Sequence, residues 1–468
     1  MSDTQTSRLR PPVPLRSARW LAVLGAFCAS ATSLHSHAAE DGVALGAQIQ
    51  RLNERMQQLE QRNLTLEERL RRQTEAPTTE AEEAQGLKVE GGVLAVMQRS
   101  NAAGTADGRT ASRLNYRGDV AFTLPLGSLS RASDAQVKGF GHLRFGQGSG
   151  LALRPTYTAT GNSVPFEGAG GSEESYAIVA QAWVQAAWPL GGSGLNDQPQ
   201  NRLEFTAGKM DIFGFFDQNA VAGDEGAQFL NNVFVHNPLL DSGGDIAADA
   251  YGLAPGLRLA WVDEGEERGW GWGVSAGVFA SGAGAGFNGE LGQPLLIVQA
   301  DITPKQINGE ARGAFRLYAW TNGHTQNLAG DAQQRHSGWG LSADHKFGRD
   351  WNVFGRFGQR TSGEASFKQA LTVGFEHGGR AWGRGSDALG LALGQLRTDP
   401  AWQRATAADP TLVGFGAQGS ERVAELYYRM KLNEKIELSP DVQLIDHAGG
   451  DADAKRITLW GLRASIGF

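Results

Sequence analysis

The stretch that most constrains this 468-residue chain is its last, Ile457 to Phe468. Counting back in twos from Phe468 gives Ile466, Ala464, Leu462 and Trp460, while Gly467, Ser465, Arg463 and Gly461 take the alternate positions. A two-residue repeat of this kind predicts a strand with one oily and one polar face. Closed by a terminal aromatic, such a strand suits a barrel wall with lipid outside and water inside.

The same alternation recurs upstream. Val137, Gly139, Gly141, Leu143 and Phe145 oppose Lys138, Phe140, His142 and Arg144, and Leu203, Phe205 and Ala207 oppose Arg202, Glu204 and Thr206. Ala424, Leu426, Tyr428, Met430 and Leu432 oppose Glu425, Tyr427, Arg429 and Lys431. After a tight Asn433-Glu434 turn the outer face continues through Ile436, Leu438, Pro440, Val442 and Leu444. Sixteen such segments can be marked from Leu87 onwards. Gaps after odd segments are mostly long, such as 149–176, 210–250, 321–336 and 398–420; those after even segments are short, such as 263–269, 303–308, 348–350 and 433–434. The pattern predicts an all-β fold, a 16-stranded antiparallel transmembrane barrel over 88–468 with its N-terminus on the periplasmic side. That many strands leave an aqueous lumen, where eight would be filled by side chains. Trp188, Trp261, Trp351 and Trp460 are candidates for interface girdles.

The N-terminus predicts three further segments. Arg8, Arg10, Arg16 and Arg19 lead into a short apolar core, Trp20 to Ala31, and Ser36-His37-Ala38 supplies small residues, so 1–38 read as a signal peptide. Its removal takes away Cys28, the single cysteine, together with four Arg and one Asp, leaving the remainder more acidic than the −7 of the whole chain. Such a charge argues against a nucleic-acid partner. Over 43–73 the spacing becomes a heptad seam, with Ile49, Met56, Asn63 and Leu70 at a and Leu45, Leu52, Leu59 and Leu66 at d. Arg55 and Arg62 at g face Glu60 and Glu67 at e in a parallel α-helical coiled coil, a rod of about 40 Å at 1.5 Å per residue. The seam leaves two and three strands equally open. Residues 74–87, with Pro77 and Glu80-Ala-Glu-Glu83, read as a linker.

The gap from Gly208 to Asp241 carries the richest chemistry. Phe213, Phe215, Phe216, Phe229, Leu230 and Phe234 make it too apolar to lie in water, and Asp211, Asp217, Asn219, Asp224 and Glu225 are interleaved with them. It is expected to pack inward and narrow the lumen. Its Gly208-Lys-Met-Asp211, Phe215-Phe-Asp-Gln-Asn219, Asp224-Glu225, Gln228-Phe-Leu-Asn231 and Asn237-Pro238 steps closely resemble the carbohydrate-selective porin (OprB) family. Gln181-Ala-Trp-Val-Gln185, Glu425-Leu-Tyr-Tyr-Arg429 and Leu438-Ser-Pro-Asp-Val-Gln443 are similar too, and the last strand resembles the C-terminal signal of outer-membrane barrels. The resemblance covers roughly 88–468 and implies a sixteen-stranded outer-membrane porin passing sugars, in a Gram-negative bacterium. The coiled coil is an addition to the simplest members; porins with a periplasmic coiled coil are trimers, which implies a homotrimer here.

Arg144, Arg202, Arg429 and Arg463 on inward faces, opposed to Glu425 and Asp441, are expected to set a transverse field, with Tyr427 among them. Gly271-Trp-Gly-Val-Ser-Ala276 fits a dinucleotide fingerprint formally but lies in an alternating strand, and the nine histidines lack ligand spacing. No cofactor, metal or catalysis is expected. Besides passive sugar diffusion, two alternatives remain open: a channel for small organic anions, and a tether whose coiled coil contacts the cell wall.

Overall fold

In a bilayer, backbone polar groups must find partners within the sheet, and a two-residue repeat puts one face in lipid and the other in water. The computed structural model describes residues 86–467 apart from 131–132, 159, 167–170, 172, 191–199, 247, 266–268, 289–290 and 306–311. The expected signal peptide, coiled coil and nearly all of the linker lie outside the described residues. Among those described run β1 (Lys88–Ser100), β2 (Ala111–Ser130), β3 (Ser133–Gln147), β4 (Tyr176–Pro189), β5 (Asn201–Asp211) and β6 (Leu253–Asp263). They continue as β7 (Trp270–Phe279), β8 (Leu295–Pro304), β9 (Gly313–Gln326), β10 (Gln333–Phe347) and β11 (Trp351–Ser362). The wall is completed by β12 (Phe367–Gly378), β13 (Ala388–Thr398), β14 (Ser420–Lys431), β15 (Ile436–Asp446) and β16 (Ile457–Gly467). Each strand pairs antiparallel with its sequence neighbours, and β1 joins β16 from Gly92 opposite Gly467 to Ser100 opposite Leu459. The sheet therefore closes without an edge.

The two faces separate as the alternation requires. Met97, Leu114, Val179, Leu317, Leu393 and Ile466 point outward and are more than half exposed, whereas Asn115, Gln185, Thr206, Gln299, Thr372 and Gln443 are buried inside. In β16, Trp460, Leu462 and Ile466 face out while Arg463 is 2% exposed, so the polar face of the terminal strand is spent on internal contacts. Pro440 sits within β15, where a residue without an N–H would cost a ladder bond. The β14–β15 ladder accommodates it by an interruption between Tyr427↔Asp441 and Met430↔Leu438, with the register unchanged.

Connections at one end are long (101–110, 148–175, 212–252, 280–294, 399–419), and at the other 348–350 and 432–435 are tight. The gap expected at 321–336 is shorter than the alternation implied. Polar residues on both faces of Thr321–Gln326 hide the strand from pattern reading, yet main-chain pairing extends it to Gln326↔Gln333. Two short helices lie in the long connections, α1 (Asn232–Val235) and α2 (Pro400–Ala408), the latter capped by Asp399 accepting from Ala401 N at 2.7 Å. The 148–175 connection is drawn inward by Glu421 of β14, whose carboxylate accepts from Tyr157 N and Thr158 N at 2.7 and 2.8 Å.

Candidate functional site

The 212–252 connection leaves β5 and crosses the lumen. Asp211 starts it by accepting from Phe213 N at 3.0 Å. At Asp217 the chain takes a left-handed turn (φ 53°), and that carboxylate is fully enclosed. It accepts from Tyr318 Oη of β9 at 2.6 Å, Arg356 Nε of β11 at 3.1 Å and Asn237 N at 2.5 Å, while Asp217 N donates to Gln299 of β8. Asn219 Nδ2 donates to Ser342 Oγ and Ala343 O of β10. Further on, Glu425 of β14 accepts from Leu230 N and Asn231 N at 2.6 and 2.9 Å, and Asn231 caps α1. Arg463 of β16 donates to Glu225 O and Gln228 O at 2.7 and 2.8 Å. Arg360 of β11 closes the series on Asp245 at 2.8 Å. Phe216, Phe229, Leu230, Val233 and Phe234 fill the space behind these bonds. Between them the side chains of β8–β11, β14 and β16 hold the connection against one arc of the wall.

Beside the connection lies a cavity of about 630 Å³, bounded by Arg117, Arg144, Gln181 and Asp211 on β2–β5, by Phe213, Glu225 and His236 on the connection, and by Arg316 and Arg356 on β9 and β11. Arg117 bonds both Asp119 Oδ2 at 2.9 Å and Glu225 Oε1 at 2.8 Å, and Arg144 meets Asp119 at 2.7 Å. A second cavity of about 340 Å³ also touches Arg117, but reaches Asp224 and the short-turn residues Glu434 and Lys435. Arg117 and Glu225 thus stand between two chambers. Burial opposes the charge on Glu225, but Arg117 and Arg144 outweigh it and hold its carboxyl at about 2. Asp224 moves the other way: depth inside the barrel, despite an exposed edge, and repulsion from Glu225 both raise it. Burial depresses His236, yet its bond to Asp241 at 3.0 Å prevails and raises it above its ordinary value.

Residues 142–468 match the family model described as "Carbohydrate-selective porin, OprB family". This chain belongs to the OprB family. Among solved structures, the high-pH structure of Pseudomonas putida OprB shares 16% identity, covers 84% of this chain and 96% of its own, and superposes with a TM-score of 0.63. The outer membrane channel DcaP of Acinetobacter baumannii shares 14% identity over 82% of this chain and 97% of its own, with a TM-score of 0.47. No curated protein matches the chain. The family and the closed barrel place this OprB-family porin in the outer membrane.

Of the residues singled out in sequence, Arg144, Asp211, Asp217, Asn219 and Glu225 border the larger cavity of the porin, and Asp224 borders the smaller. Glu425 and Arg463 do not face open space; both are consumed in holding the connection. Tyr427 donates to Glu376 at 2.7 Å and sets its ring edge-on to Phe229, and Arg429 pairs with Glu376 at 3.1 Å. Asp441 accepts from Gln443 at 3.0 Å. Arg202 lies apart, bonded to Glu204 and to Glu264 beyond β6, so the expected four-arginine field is not assembled in one place. Arg117, Asp119, Arg316, Arg356 and Arg360 were missed. All are charged residues at inward positions, a signal that alternation alone could have supplied. Among the described residues no group of three His, Cys, Asp or Glu is arranged to hold a metal ion.

Proposed function

We propose that this porin passes small neutral carbohydrates by passive diffusion, with Arg117, Arg144, Asp211, Asp224 and Glu225 at its narrowest part. The supporting observation is charge compensation. Every guanidinium bordering the larger cavity has a carboxylate partner: Arg117 with Glu225, Arg144 with Asp119, Arg316 with Asp344 and Arg356 with Asp217. A wall of matched pairs offers many donors and acceptors to hydroxyl groups without a net field to trap an ion. An organic-anion channel would need unmatched arginines there. Liposome swelling with neutral sugars, read beside reversal potentials in organic-anion gradients, tests the assignment. Strong anion selectivity with no sugar permeation rejects it.

The same reading includes a signal peptide over 1–38, a trimer joined in the periplasm by a parallel coiled coil over 43–73, and a linker over 74–87. Support comes from the unbroken seam of Ile49, Leu52, Met56, Leu59, Asn63, Leu66 and Leu70 with its g–e charge pairs.

A further inference from the structure

We propose that the outer wall of β12–β15, at its long-loop end, binds a phosphorylated lipid of the surrounding membrane. Arg397 and Arg422 clamp the phosphate, and a groove beneath them seats an acyl chain. The site is on the outside of the barrel and is independent of which solute crosses the lumen. Each guanidinium at the larger cavity has a carboxylate; these two do not. Arg397 of β13 and Arg422 of β14 are exposed and point outward. Neither guanidinium has a hydrogen-bond or ion-pair partner among the described residues. Asp446 stands across the ladder from Arg422, but its two carboxylate oxygens accept from Arg456 Nε and Nη2 at 2.7 and 3.0 Å. Gln395, on the other side of Arg422, donates to Ser420 Oγ at 3.2 Å. Because Arg397 opposes Ser420, it is a diagonal neighbour of Arg422, about 7–8 Å away along the wall. Two long side chains so spaced can close on one phosphate, whose oxygens match the guanidinium fork.

Height along the wall places the pair among headgroups. Leu432, exposed at the short-turn end, is ten residues from Arg422. That is about 33 Å along the strand at about 3.3 Å per residue, and a tilt near 40° reduces it to about 25 Å, the height of the apolar band. Below Arg422 a groove of about 360 Å³ runs between Leu371, Leu393, Ala424 and Leu444, with Arg422 and Asp446 at its rim. Ala424 lies opposite Leu393 on one side and Leu444 on the other, so a methyl between two isobutyl groups makes the depression. An apolar floor under an unmatched cationic rim fits an anionic lipid, whereas a soluble anion would use the rim alone. At the short-turn end the outward positions of these strands are Phe375, Leu389, Tyr428 and Leu438. The site therefore faces the leaflet on the long-loop side.

The experiment titrates the full-length porin in non-ionic detergent with diphosphoryl lipid A or with zwitterionic phosphatidylcholine, and counts bound lipid by native mass spectrometry. Wild type should retain lipid A and shed phosphatidylcholine. The double change Arg397→Gln with Arg422→Gln should weaken lipid A binding by about thirtyfold, the factor expected from two cations at a membrane surface. Ala424→Phe fills the groove, leaves both guanidinium groups in place and should also release lipid A. Both variants should keep wild-type single-channel conductance, which shows a folded barrel. Equal retention of the two lipids by wild type overturns the proposal. So does a double variant that holds lipid A as tightly as wild type, or one that instead changes the number of chains per particle, which would assign this wall to a neighbouring barrel. Undiminished binding in Ala424→Phe overturns the acyl seat.

Discussion

Arg356 of β11 and Asp217 of the 212–252 connection form an ion pair at 3.1 Å, with side chains 1% and 0% exposed. Arg356 Nη1 also donates to Phe234 O at 2.5 Å, so one wall residue binds the connection at two points seventeen residues apart in sequence. Breaking a buried pair by removing one partner leaves an uncompensated charge and costs about 3–5 kcal/mol. Asp217→Ala should therefore release the connection from the wall while the barrel, closed by its own ladder, stays folded. Single-channel recordings should show a larger and noisier conductance, and electrophoresis an unchanged heat-modifiable band. A conductance equal to wild type would refute this anchoring role.

Close approach of the connection depends on glycine. A Cβ built at Gly358 would fall 2.5 Å from Asn237 Oδ1, and one at Gly340 2.6 Å from Asn237 Nδ2. Gly358→Val should displace Asn237, whose Nδ2 otherwise donates to Tyr318 Oη at 2.8 Å. The expected phenotype matches that of Asp217→Ala, whereas the same change at Gly355, which faces only ordinary contacts, should be silent. Limited proteolysis at the connection reads the difference.

Of the neighbouring carboxyls at the loop tip, acid should act on Asp224, which titrates above its ordinary value of 3.8, before Glu225, held at about 2. Any cation preference should fall as pH drops through the raised titration of Asp224. That fall should vanish in Asp224→Asn and persist in Glu225→Gln. Because the folded value of Glu225 lies below its ordinary 4.5, its contribution to holding the loop tip is complete above that pH and fades as pH falls towards 2. Reversal potentials in a salt gradient between pH 3 and 8 check both statements.

Charge on the lipid face should harm assembly where charge in the lumen does not. Leu462→Arg places a guanidinium on the outer face of β16, at a cost of about 2–4 kcal/mol near the bilayer midplane. Ser465→Arg, on the inner face of the same strand, should leave the folded fraction unchanged in detergent-refolding titrations. Equal loss of folding in both would contradict the assigned faces.

If the proposed coiled coil joins three chains, removing residues 43–73 should leave single barrels with per-pore conductance retained, measured by native mass and single-channel steps. An unchanged number of chains per particle would refute the coiled-coil trimer.

Much of the wall was legible because lipid imposes a rule on every outward side chain. That is why Ile466, Leu462 and Trp460, read in twos, reported the terminal strand, and why long and short connections reported the end at which each strand turns. Local sequence also showed that residues 208–241 could not lie in water. It did not show what holds them. Glu425 and Arg463 looked like lumen charges, and only the closed cylinder, bringing β14 and β16 within reach of Leu230 and Glu225, made them anchors. Arg356 and Gly358 escaped notice for the same reason: their partners, Asp217 and Asn237, lie more than a hundred residues away. Alternation is a local constraint and survives in one dimension, whereas pairing across a lumen depends on which strands the closed sheet sets opposite each other.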